Sequence, residues 1–164
     1  MNKIIVAIDP GGTTGIAVMG LTDEDFKLLE VHQWKDPDNV WEEILKLLRR
    51  VVEDCGMEEL YVICESFEIR PDVLSPDETP KYIIKDLDRY VVPEFEIHYQ
   101  QASVAKVGVP PAKGGRRDRL KAFGLYQTGL RHSNDAIRHI LAYAIDKLRH
   151  RPLIIAGWGL PGRK

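Results

Sequence analysis

The sequence predicts an α/β domain, a five-stranded mixed sheet flanked by helices, occupying residues 1–164 as a single unit. Three observations predict it. IIVAID, ending at Asp9, and LYVICE, ending at Glu65, are apolar up to a terminal acid, as strands buried on both faces are. Between them lies an amphipathic stretch with Val40, Ile44, Leu47, Leu48 and Val51 on one stripe. Such a helical crossover makes the two strands parallel. Finally, 164 residues with 44% hydrophobic and 29% charged content suffice for a real core in a globular chain.

The elements follow in order. Residues 3–9 are a β-branched strand, the turn DPGG reverses the chain, and TTGIAVMG resumes as the second strand of a hairpin. After the acidic turn around Thr22 to Asp25, KLLEVHQW (27–34) reads as a third strand. Asp38 or Asn39 caps a helix over about 40–54, Gly56 ends it, and 59–65 is the fourth strand. Residues 66–79 are irregular, and Thr79-Pro80 starts a short helix running to about Val92. EFEIHY (94–99) alternates as a fifth strand. A short helix around 101–107 precedes the loop VPPAKGGRR. Helices over about 117–126 and 134–150 close the fold, the last with Ile137, Leu141, Ala144, Ile145 and Leu148 facing the core and Pro152 as its stop. This is the element order of a ribonuclease H-like domain, in which the first and fourth strands are neighbours. Asp9 and Glu65 then emerge together at carboxyl ends, where open α/β sheets place their sites.

Composition narrows the partners. The N-terminal apolar run is too short for a signal peptide or a membrane span, and Cys55 and Cys64 read as small buried residues of a reducing compartment. An intracellular, cytoplasmic protein without a membrane partner is therefore expected. The net charge of -2 hides an asymmetry. Residues 1–100 hold 10 Lys/Arg against 22 Asp/Glu, whereas residues 101–164 hold 13 against 3. A basic C-terminal third on an acidic body suits a polyanion bound on one face.

Four residues carry the chemistry: Asp9, Glu65, His132 and Asp135. Each has a plainer reading. Asp9 opens an Asp-Pro-Gly turn, Glu65 pairs with Arg70 or a helix cation, Asp135 is a first-turn acid, and His132 is a surface residue. Their joint occurrence in this topology outweighs those readings. Ionised acids gathered at strand ends are costly unless a cation binds there, and three carboxylates suit Mg²⁺, with a nitrogen ligand admitting Mn²⁺. With two ions about 3.5–4 Å apart, bridged by Asp9, in-line phosphodiester hydrolysis is expected. His139, one turn beyond Asp135, is placed to orient that carboxylate. Lys106, Lys113, Arg116, Arg117, Arg119 and Lys121, in and around the basic loop 108–119, are the expected phosphate contacts.

IDPGGTTGIAV, VICESF and HSNDAIRHILAYA together resemble the RuvC-like Holliday junction resolvases, especially their short phage-encoded branch. The resemblance runs from Met1 to about Arg149. It implies that Asp9, Glu65, His132 and Asp135 form a metal-binding catalytic tetrad. It also implies that Lys106 and the basic loop contact phosphate, and that homodimers nick four-way DNA junctions with Mg²⁺ or Mn²⁺, in the host cytoplasm if phage-encoded. Segment 66–92 does not match the bacterial members, and the tail 151–164 is unplaced. The rival readings are a flap or general branched-DNA nuclease, an RNA–DNA hybrid nuclease, a non-catalytic nucleic-acid module, and an actin- or sugar-kinase-like ATPase fragment. The last needs a second domain and a second phosphate loop. Whether His132 is a metal ligand or a proton-transfer group stays open.

Overall fold

A computed structural model describes residues 3–35, 37–55, 59–67, 77–106 and 118–156. β1 (Lys3–Asp9), β2 (Thr14–Leu21) and β3 (Phe26–Trp34) form an antiparallel meander. α1 (Val40–Cys55) crosses over to β4 (Leu60–Glu65), which lies parallel to β1 on its other side. α2 (Thr79–Tyr90) then leads to β5 (Ile97–Gln100), parallel to β4, so the sheet order is β3-β2-β1-β4-β5. A 3-10 turn (Ala102–Lys106), α3 (Arg119–Ala122), α4 (Arg131–Asp146) and α5 (Arg151–Ala156) complete the described chain.

Period-two alternation along β1 divides the core into two apolar layers. Ile4, Val6 and Ile8 point to the side of α1 and α2, where Ile44, Leu48, Ile83 and Leu87 meet them. Ile5 and Ala7 point to the other side, with Ala17 and Met19 of β2, against Ile137, Ile140 and Leu141 of α4. The sheet's centre is consequently buried on both faces, as its unbroken apolar runs require. α2 begins as its sequence dictates: Asp77 Oδ1 accepts from Thr79 N at 3.0 Å and from its hydroxyl at 2.6 Å, ahead of Pro80. No helix of the described residues is long and apolar enough to cross a membrane.

Several expectations need correction. α3 stops at Ala122 rather than about 126, because Phe123 caps it and Gly124 turns left-handed with φ of 69°. β5 is confined to Ile97–Gln100, since residues 91–95 still form the turn that closes α2. α4 begins at Arg131 and ends at Asp146, and Pro152 does not stop it. The stop is a left-handed Arg149 (φ 53°) with His150 N–H returning to Ala144 O at 2.9 Å, and Pro152 sits in the first turn of α5, where a proline needs no N–H partner. Of the unplaced tail, α5 buries Leu153 in the α4 layer and leaves Ile155 exposed; residues 157–164 lie outside the described residues. Cys64 is buried as expected, but Cys55 is exposed at the end of α1.

Candidate active site

Parallel pairing of β1 with β4 sets Ile8 beside Cys64, so the next residues, Asp9 and Glu65, leave the sheet side by side. α4 lies across the same end, packed on β1 and β2, and carries His132 and Asp135 on its first turns. It can come that close because β2 offers Gly15. A Cβ there would overlap the carbonyl group of His132 and the amide nitrogen of Ser133. The turn between β1 and β2 is held by Thr14, whose buried hydroxyl donates to Gly11 O at 3.2 Å.

The four predicted residues line one open cleft of about 860 Å³. Each acid is tied to a basic group. His132 Nδ1 lies 2.8 Å from Asp9 Oδ2 and His139 Nε2 lies 2.9 Å from Glu65 Oε2, while Arg138 Nη1 donates to Asp135 Oδ1 at 2.6 Å. The other oxygen of each carboxylate has no hydrogen bond among the described residues. Burial pushes the Asp9 carboxyl above its ordinary value, the bond from His132 pulls the other way, and the charges of Glu65 and Asp135 push up again. His132 is raised in turn, first by its bond to Asp9.

His139 does not orient Asp135 as the sequence suggested. It is fully buried facing the sheet, with Nε2 on Glu65 and Nδ1 2.8 Å from Gln100 Oε1, while Asp135 is taken by Arg138 one residue earlier on the helix. Among the described residues the partner of Glu65 is this histidine; Arg70 lies outside them. Lys113, Arg116 and Arg117 lie outside the described residues, as does the side chain of Lys106. Lys121 is exposed on α3, its Nζ 4.6 Å from the centre of the Tyr126 ring, and Arg119 is half-buried on the same helix.

Sequence reasoning missed Asp118, Tyr126, Arg131 and Arg138 as cleft residues, and Gln100 as the partner of His139. Arg138 had a signal in its spacing of three from Asp135. Gln100 had none, because its place depends on the register of β5 against Glu65.

Among the described residues no three His, Cys, Asp or Glu side chains are drawn into a ready cation cluster. The donor set nevertheless fits a hard divalent ion: three carboxylates face one cleft, each with an oxygen that has no hydrogen bond among the described residues, and Asp9 feels the negative charge of the other two. A cation would relieve that repulsion.

No family model and no curated protein matches this sequence. Solved structures do. Thermus thermophilus RuvC aligns over 90% of this chain and 97% of its own, at 14% identity and a TM-score of 0.64. T. thermophilus RuvC in complex with Holliday junction substrate aligns over 92% of this chain and 97% of its own, at 17% identity and a TM-score of 0.61. The fold is therefore the ribonuclease H-like one, as expected.

Proposed function

We propose that this protein is a divalent-metal-dependent endonuclease selective for branched DNA, with the four-way junction as its principal substrate and two copies acting together. The observation that carries the reading is the convergence of Asp9, Glu65 and Asp135, from β1, β4 and α4, on one open cleft, where burial and the charges of the other two acids still push Asp9 up despite its bond to His132. Its likeness in fold to an enzyme solved on Holliday junction substrate supports the choice of DNA.

Asp9, Glu65 and Asp135 would hold Mg²⁺ or Mn²⁺, with His132 beside them. When bound, such ions supply Lewis acidity at the scissile phosphate and neutralise charge that develops on its oxygens. The remaining work belongs to the chain. His132 spends Nδ1 on Asp9, which leaves Nε2 as the atom able to take a proton from an attacking water. His139 has both ring nitrogens engaged, so it orients Glu65 and takes no part in proton transfer with substrate. Arg131, exposed on the cleft rim, and Lys121 on α3 extend the basic surface of the C-terminal third toward the phosphate backbone. Lys106, Lys113, Arg116, Arg117 and Arg119 continue that surface in sequence. Paired nicks across a junction need two such clefts, hence the homodimer.

The test is cleavage of end-labelled four-way junction, flap, linear duplex and RNA–DNA hybrid with Mg²⁺, Mn²⁺ or EDTA, alongside Asp9→Asn. Paired symmetric nicks in the junction, lost with EDTA and with the variant, are expected. Cutting of every branched form would widen the specificity, and hybrid cutting alone would overturn the choice of DNA. Tight junction binding without cutting of any substrate would make the protein a binding module.

A further inference from the structure

From Asp135 a chain of charged side chains, Arg138 and then Asp118, runs along the cleft wall, and the proposed reaction leaves these two without a role. The Arg138 side chain is only 5% exposed. Its Nη1 donates to Asp135 Oδ1 at 2.6 Å, its Nη2 donates to Asp118 Oδ2 at 2.7 Å, and its Nε–H has no partner among the described residues. Two carboxylates, one from α4 itself and one from the cap of α3, hold this guanidinium. Asp118 has a second duty: its Oδ1 accepts from Leu120 N at 2.9 Å and caps α3. In sequence it directly follows the basic stretch that contains Lys113, Arg116 and Arg117.

We propose that Arg138 is a positioning residue through which cation binding at Asp135 and the anchoring of Asp118, at the foot of the basic segment, strengthen one another. The inference rests on the metal-dependent reading above, because only a cation at Asp135 gives Arg138 something to transmit. A guanidinium shared by two carboxylates divides its attraction between them. A cation that draws Asp135 away from Nη1 leaves Arg138 to Asp118, which tightens the foot of the basic segment. Conversely, an anchored Asp118 holds Arg138 off Asp135 and leaves that carboxylate open to the ion. Such linkage is reciprocal by thermodynamic necessity.

Mn²⁺ titration calorimetry without DNA tests the link. Asp118→Asn keeps the helix cap, since asparagine caps as well as aspartate, but hands Arg138 to Asp135. Mn²⁺ binding is expected to weaken roughly 5-fold with an unchanged circular dichroism spectrum. In an Arg138→Gln background the same substitution should change Mn²⁺ affinity less than about 2-fold, the interaction being gone. If that variant does not fold, Arg138→Lys completes the cycle, because one ammonium cannot span both carboxylates as the fork does. Equal weakening in both backgrounds would mean that Asp118 acts through its charge alone, and would overturn Arg138 as the link. Unchanged affinity in Asp118→Asn would overturn it as well, with the metal-dependent reading intact. Wild-type protein that fails to bind Mn²⁺, or binds it as well after Asp9→Asn, would overturn the metal-dependent reading and the link with it.

Discussion

Gly15→Ala is the most discriminating small perturbation of this site, because it changes no charge and touches no substrate. The added methyl would overlap the His132 carbonyl and the Ser133 amide, both of them α4 backbone that no rotamer change can move aside. Ordinary contact begins at 3.4 Å, so α4 must withdraw on the order of 1 Å from β2. His132 and Asp135 ride on that turn, whereas Asp9 and Glu65 stay with the sheet. The displacement therefore falls between the two halves of the site, where about 1 Å costs around 10²-fold in rate. Overpacking should also lower stability by about 1–3 kcal/mol. Urea denaturation and single-turnover junction cleavage measure the two effects, with Gly12→Ala, whose Cβ would meet nothing within 4 Å, as the stability control. A Gly15→Ala protein with the wild-type urea midpoint and wild-type rate would refute the claim that contact at this glycine sets the position of α4.

Three other outcomes follow from the same geometry. Asp9→Asn should reduce cleavage by at least about 10³-fold while junction affinity, read by fluorescence anisotropy, is kept or improved, since a charge that repels phosphate is gone. In metal-free protein, stability should decline as pH rises above about 6.5. The bond from Asp9 raises His132 above its ordinary 6.5, so the stabilisation is complete below 6.5 and is lost as pH climbs through the raised value. The penalty on charged Asp9, whose carboxyl is also raised, by burial first, has the same sign but sets in at lower pH, upward from the ordinary 3.8. His132→Asn should flatten the decline in urea midpoints. Arg116→Ala with Arg117→Ala should weaken junction binding regardless of sequence and reduce the slope of log affinity against log salt by about 2. An unchanged slope would place the DNA surface elsewhere.

The first half of the fold was legible because its signals are local and mutually consistent. Continuous apolar runs marked β1 and β4, the Asp-Pro-Gly-Gly turn marked the hairpin, and one stripe marked α1. Convergence of Asp9 and Glu65 followed from one inference, that a helical crossover joins parallel strands. Where expectation failed, a distant or conformational cause decided. Pro152 stops no helix, because a left-handed Arg149 had already done so, and Gly124 cut α3 short. His139 reaches Glu65 only through the roll of α4 on the sheet, which helical spacing does not specify. That roll also buries polar Ser133, Asn134, Arg138 and His139 in a helix whose apolar stripe alone predicted a narrower contact.

The two layers on either side of β1 differ in grain as well as in position. Toward α1 and α2 the strand shows Ile4, Val6 and Ile8, and bulky aliphatic residues answer them. Toward α4 it shows Ile5 beside Met19 but Ala7 beside Ala17, the pair nearer Asp9; Ala136 and Ala144 belong to the same layer, on which the helix bearing His132 and Asp135 rests. Lineages diverging from this sequence should thus accumulate exchanges among Ile, Val and Leu on the α1 side, where volume can be traded between neighbours. The small residues beneath α4 should resist change, because every added methyl there is a wedge under the candidate site. One sheet thereby gives the molecule a side free to drift and a side that serves as a gauge.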